Sequence, residues 1–165
     1  MIISEGIIYI NMDKTNVMRI LDKEHIIYKY YNYDNNETNG EKVAILLDKN
    51  KDQVFKTLVT VSNTSEHFVF MVPVSTELDL KKASKAAHVK SIEMIKQKEL
   101  LPLTGYIHGG CSPIGMKKQF KTFIDETATL YDTICFSGGR VGTQIECALS
   151  DLEKIINIEI SDLTI

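Results

Sequence analysis

The sequence predicts an α+β fold, a mixed β-sheet with α-helices around it. Three observations point there. Strand-like and helix-like segments are interspersed along the chain. The turns between several strands are too short to hold the helical crossovers that a doubly wound sheet requires. The 165 residues suit one domain with one substantial core. No repeat, linker or low-complexity tract divides the chain, so residues 12–165 are expected to form a single unit. Residues 1–11 read either as an extra edge strand or as an N-terminal extension ahead of a natural translation start near Met12, with the second reading preferred. That opening run carries no basic leader and is much too short to span a membrane.

In chain order, Asp13 or Thr15 caps a helix whose apolar stripe is Val17, Met18, Ile20 and Leu21. Residues 26–33 are rich in β-branched and aromatic side chains and read as a strand. Thr38-Asn39-Gly40-Glu41 has capping-box spacing before a short helix that turns Val43, Ala44 and Leu47 inward. Residues 53–61 form the strongest strand pattern, with residues 67–73 as hairpin partner across a turn at 63–66. Asp79 caps a helix over 80–87 with Leu80, Ala83, Ala86 and Ala87 inward, and a second short helix covers 92–95. Residues 102–105 turn into a Tyr106-Ile107 strand. Further strands are expected at 123–124, 129–136 and 158–160, and a short apolar segment at 145–149. Ser150-Asp151-Leu152-Glu153 reads as a second capping box, opening the last helix.

Composition is that of an ordinary soluble globular chain: 44% apolar and 25% charged residues, formal net charge -3. That balance gives no sign of nucleic acid, yet it leaves room for a local basic patch. Lys81, Lys82, Lys85 and Lys90, with Lys117, Lys118 and Lys121, are candidates for one, against the plainer reading of a charged helix face. Three cysteines, an odd number without close pairing or histidines at ligand spacing, argue against a disulfide scaffold or structural zinc and for a reducing compartment. No metal-binding motif, phosphate-binding loop or dinucleotide fingerprint is present.

Chemistry concentrates at two glycine corners and one lysine. Ile107-His108-Gly109-Gly110-Cys111-Ser112-Pro113-Ile114-Gly115 and Phe136-Ser137-Gly138-Gly139-Arg140-Val141-Gly142 share a layout: an apolar strand end, a glycine pair, then a further glycine. Paired glycines reach dihedrals closed to other residues and leave backbone amides uncovered, and such amides can line an anion- or carbonyl-binding concavity. The competing reading is two tight turns with no ligand. Alternation puts Phe55, Thr57 and Val59 on one strand face and Val54, Lys56, Leu58 and Thr60 on the other. Lys56 therefore shares an apolar face, either at a solvent fringe or at a pocket. Cys111 reads as a small apolar filler rather than a thiol nucleophile. His108 borders the first corner with no aspartate or cysteine arranged to make it a recognisable base.

The order of Val54-Phe55-Lys56-Thr57-Leu58, Leu78-Asp79-Leu80-Lys81-Lys82, Gly105-Tyr106, Gly109 to Gly115 and Phe136-Ser137-Gly138-Gly139 resembles the YbaK/EbsC family of trans-editing aminoacyl-tRNA deacylases. That family is related to the editing domain inserted in bacterial prolyl-tRNA synthetases. The resemblance covers the chain from about Met12 to its end. It implies a strongly curved mixed sheet and hydrolysis of a mischarged tRNA ester without cofactor or metal. Cys-tRNA(Pro) is the first expected substrate and Ala-tRNA(Pro) the alternative; a non-catalytic binding module of the same fold is the runner-up. It also implies a cytoplasmic protein that meets the tRNA acceptor end, with prolyl-tRNA synthetase as a candidate partner and neither membrane nor DNA involved.

Residue by residue, Lys56 matches the family's functionally essential lysine, expected to contact the terminal ribose-phosphate. Gly109, Gly110 and Ser112 match the loop lining the aminoacyl pocket. Ser137, Gly138 and Gly139 match the second pocket loop, and Tyr33 resembles a tyrosine near the pocket. One departure stands out. Relatives carry Leu-Asp-Ile-Glu after the second corner, whereas this chain reads Thr143-Gln144-Ile145-Glu146, so a neutral Gln144 replaces a carboxylate. The mechanism implied is substrate-assisted: the protein positions the ester and backbone N–H groups stabilise the developing oxyanion.

Overall fold

The computed structural model describes residues 13–34 and 36–165. The expectations for residues 1–12 lie outside the described residues. Helix α1 spans Asn16–Lys23, and Thr15 caps it by accepting from the Met18 amide. Its stripe of Val17, Met18 and Leu21 is buried, as the periodicity predicts. Strand β1 is confined to Lys29–Asn32, shorter than expected, although Ile26 and Tyr28 ahead of it are buried. Helix α2, Gly40–Leu46, is capped by Asn39 rather than Thr38; both residue types cap, and asparagine is the stronger.

Strands β2 (Phe55–Ser62) and β3 (His67–Pro73) form the expected antiparallel hairpin, with Lys56 opposite Val72 and Val59 opposite Val69. Helix α3, Leu80–Ala86, has the expected Asp79 cap, but Leu80 faces outward, 41% exposed. The helix expected at 92–95 is instead strand β4, Ile92–Met94, paired antiparallel to the far end of β2. Helix α4 follows at Gln97–Thr104, running through Pro102 and ending at Gly105 in a left-handed conformation. Tyr106-Ile107 is not a strand. Tyr106 is buried, and its hydroxyl donates to the Ile114 carbonyl across the loop.

Strand β5, Thr122–Asp125, lies parallel to β3. The strand expected over 129–136 is divided: Glu126–Leu130 is a 3-10 turn capped by Asp125, and only Ile134–Ser137 is strand β6. Strand β7 (Thr143–Cys147) precedes helix α5 (Leu149–Ile155), which starts from Ala148 without a side-chain cap, so Ser150 does not open it. Strand β8, Ile158–Ser161, closes the chain parallel to β5.

The strands make a five-stranded mixed sheet, β4-β2-β3-β5-β8, and an antiparallel three-stranded sheet, β1-β7-β6. The two join where Val54, just before β2, bridges Cys135 of β6 in parallel and the Cys135 amide donates to the Gln53 carbonyl at 3.0 Å. Alternation along the hairpin sorts the core. Phe55, Val59, Val69 and Met71 pack in a large cluster with α1, the small sheet and α5. Leu58, Phe68, Phe70 and Val72 pack on the opposite face against Ala83 of α3. A third small cluster, Ala44, Val54, Val74 and Cys135, seats α2 where the sheets meet. No helix among the described residues is long and apolar enough to cross a membrane.

Candidate functional site

The start of β2, the turn into α2, the first glycine corner and the end of the small sheet enclose a cleft of about 390 Å³. Lys56, Gly109, Ser137, Tyr33 and Gln144 all line it. Gly110, Ser112, Gly138 and Gly139 do not. They stand behind the wall, and close packing explains each. A Cβ on Gly110 would meet the Arg140–Val141 backbone, and one on Gly138 would meet the Thr143 side chain at 2.8 Å. Gly139 adopts a φ of +101° and Val17 lies 3.0 Å from its would-be Cβ. Ser112 is fully buried, its hydroxyl accepting from the Ile114 amide. The two corners thus stack on each other, and the first presents Gly109 to the cleft.

The amides follow suit. Gly110 N–H donates to the Ile107 carbonyl, Gly138 N–H to the Thr143 carbonyl and Gly139 N–H to the Ser137 hydroxyl. Among the described residues Gly109 N–H has no hydrogen-bond partner, and Gly109 is the corner glycine that lines the cleft.

Among the described residues lining the cleft, Lys56 is the one Lys, Arg, Asp or Glu. Its ammonium lies 3.4 Å from a carboxylate oxygen of Glu77, which is largely exposed. Apolar walls come from Val43, Val54, Phe55, Leu58, Val74 and Leu100. Cys111 reaches the cleft too, but burial pushes its thiol up to about 12, far from thiolate at neutral pH. His108 lines the rim, exposed to solvent. Among the described residues the lining holds no carboxylate, and what it does hold, a lysine, backbone and small polar groups on apolar walls, suits positioning and polarising a small group.

Two features have little signal in the sequence. Thr57 lines the cleft although alternation assigns it to the core face with Phe55 and Val59; β2 crosses the cleft's edge, so neighbours from both faces reach it. Glu146 shares the β7 face of Gln144 and is nearly buried. It accepts from Tyr31 Oη at 2.6 Å and Thr133 Oγ1 at 2.5 Å, and pairs with Lys49 Nζ at 3.0 Å. Burial pushes the Glu146 carboxyl up, but those hydrogen bonds and the Lys49 charge outweigh it and hold the group below the usual carboxylate range. Lys49 follows α2 in the chain, so this cluster pins the far end of α2 while its first residues, Asn39 and Gly40, wall the cleft. Of the lysines singled out in sequence, Lys82 and Lys121 are ion-paired, to Asp162 and Glu159.

The fold matches a crystal structure of a candidate trans-editing enzyme for prolyl-tRNA synthetase with a TM-score of 0.77, over 92% of this chain and 98% of that one, at 20% identity. The likeness establishes the fold class, an α+β domain with a mixed sheet and surrounding helices. A family model for the aminoacyl-tRNA editing domain matches residues 35–155. A candidate Cys-tRNA(Pro)/Cys-tRNA(Cys) deacylase, EbsC of Enterococcus faecalis, is 43% identical over 153 residues, 92% of this chain and 93% of that protein. The chain belongs to the aminoacyl-tRNA editing domain family. A proline–tRNA ligase of Leuconostoc mesenteroides is 28% identical over 104 residues, 63% of this chain and 18% of the ligase.

Proposed function

We propose that this protein hydrolyses the ester linking a wrong amino acid to tRNA, acting in trans, with Cys-tRNA(Pro) as first substrate and Ala-tRNA(Pro) as second. The observation carrying this reading is the convergence of Lys56 and Gly109 on one small, mostly apolar cleft whose described lining residues include no carboxylate. A cleft of that composition suits a small acyl group and a positioning mechanism. Lys56 holds the terminal ribose-phosphate, exchanging Glu77 for a phosphate oxygen. Gly109 N–H donates to the carbonyl oxygen as negative charge develops on it. Tyr33, Ser137 and Gln144 bound the aminoacyl group, while Gly110, Ser112, Gly138 and Gly139 act indirectly, by fixing the two corners. For a cysteinyl ester, the substrate thiol attacks its own carbonyl, the terminal ribose oxygen leaves with the thiol's proton, and water then opens the resulting β-thiolactone to free cysteine. For an alanyl ester, water attacks the carbonyl directly and the ribose oxygen leaves with a proton from that water.

Residues 12–165 would act as one editing unit in the cytoplasm, where mischarged tRNA is made. The protein has only two arginines, Arg19 and Arg140, which argues for modest tRNA affinity alone and for help from a partner such as prolyl-tRNA synthetase. The test is release of radiolabelled amino acid from cysteinyl- and alanyl-tRNA(Pro) by the purified protein. Turnover of either above the uncatalysed rate supports the deacylase, and the ratio fixes the preferred substrate. Binding of both without hydrolysis would replace it with a binding module.

A further inference from the structure

Two buried side-chain atoms among the described residues have no hydrogen-bond partner, Thr57 Oγ1 and Gln144 Oε1. Both residues line the cleft. Gln144 is 7% exposed and sits on the central strand of the small sheet, directly opposite Ser137 on one side and Tyr31 on the other. Tyr31 Oη donates to Glu146, Ser137 Oγ accepts from Gly139 N–H, and neither hydroxyl donates to Gln144 Oε1. An unsatisfied buried oxygen is costly, and native structures rarely keep one without a reason. Two in one cleft share a reason if a ligand supplies the missing donors.

We propose that Thr57 and Gln144 form the subsite for the substrate's free α-amine. The inference rests on the deacylase reading and extends it to a substrate class: esters of amino acids whose α-nitrogen carries N–H groups. A carbonyl oxygen can only accept, so Gln144 Oε1 calls for a donor. In a small aminoacyl ester the α-amine is the strong donor next to the reacting carbonyl; a cysteine thiol donates weakly and an alanine methyl not at all. The amine offers up to three N–H groups, enough for Gln144 Oε1 and Thr57 Oγ1 together. The side chain is left to the apolar walls. Because both acceptors are neutral, recognition rests on hydrogen bonding rather than on an ion pair. The subsite therefore selects for aminoacyl esters as such and against esters whose amine is missing or blocked, leaving side-chain choice to cleft volume.

The test compares acceptor-stem RNA carrying 3′-alanyl and 3′-propanoyl esters, which differ by the amine alone. Each enzymatic rate is divided by the uncatalysed rate of the same ester. The wild type should favour alanyl by about tenfold or more, the worth of one or two net hydrogen bonds. In Gln144→Met and Thr57→Val, which keep shape and remove the acceptors, that ratio should fall towards one without loss of Tm, since each change removes an unpaired buried polar atom. Equal wild-type rates on the two esters, or a ratio preserved in both variants, would overturn the subsite and leave the deacylase standing. If neither ester is hydrolysed, the alanyl substrate falls, the deacylase reading then rests on cysteinyl-tRNA turnover, and the subsite is judged by calorimetric binding of two stable amides. Those are 3′-deoxy-3′-(alanylamino)adenosine and its propanoylamino counterpart. Tighter binding of the former, lost in the variants, sustains the subsite; equal binding ends it.

Discussion

Gly110 and Val141 meet backbone to backbone: a Cβ built on Gly110 would lie 2.9 Å from the Val141 amide nitrogen and 3.0 Å from the Arg140 carbonyl carbon. The two glycine corners are thus one structural unit, and Gly110 is needed for close approach rather than for contact with a ligand. Gly110→Ala must separate the corners, an overpacking cost of about 1–3 kcal/mol. The expected result is a fall in Tm of roughly 5 °C, read by calorimetry, with any loss of activity following through displacement of Gly109. An unchanged Tm would show that the corners part freely.

The hairpin, the Asp79 cap and the β2 alternation were legible because each rests on local chemistry: β-branched runs, a capping carboxylate, period two. Lys56 was legible as an oddity for the same reason. Tertiary pairing decided what was not. Ile92 to Met94 has no strand pattern of its own and becomes strand only because the end of β2 offers an open edge. Pro102 reads as a helix stop, yet α4 continues through it to Gly105. At the site, the glycine pairs were visible as flexible turns. That Gly110 and Gly138 serve packing while Gly109 faces the cleft depends on how the corners stack, which no spacing encodes.

Glu146 and Lys49 supply a pH signature. The Glu146 carboxyl is held below its ordinary range in the folded protein, so the folded state binds that proton more weakly than the unfolded chain. Its stabilisation is full above the unfolded carboxylate pKa, about 4.3, and is lost as pH falls through the lower folded value. Glu146→Gln should cost about 2 kcal/mol at pH 7, by leaving Lys49 without its carboxylate. In urea titrations the gap between variant and wild type should close as pH falls below about 4. A gap independent of pH would contradict the pairing.

Lys56 and Glu77 make an exposed pair at 3.4 Å, with Glu77 78% exposed. If the lysine must release Glu77 to take a phosphate, Glu77→Gln should lower KM for aminoacyl-tRNA about two- to threefold at low salt, the scale of a weak surface ion pair. The gain should fade as salt rises, with kcat unchanged. A raised KM would mean that Glu77 orients Lys56 rather than competes for it.

Cys111 lines the cleft as a buried thiol raised to about 12. Cys111→Ala should therefore keep turnover within about threefold of wild type, because no thiolate is present at neutral pH to act as nucleophile. In the folded protein Cys111 should also react slowly with Ellman's reagent at pH 8. Fast labelling with loss of activity, or a variant silenced at unchanged Tm, would reopen covalent catalysis.

Deacylation of Cys-tRNA(Pro) by wild type and Lys56→Ala, measured side by side with their melting temperatures, tests the central claim most directly. Lys56 is partly exposed and makes one surface ion pair, so its removal should leave Tm within about 2 °C. The account predicts that kcat/KM falls at least about a hundredfold, a phosphate contact and the positioning it enforces lost together. Full activity in the variant, or loss of activity only in step with unfolding, would contradict it.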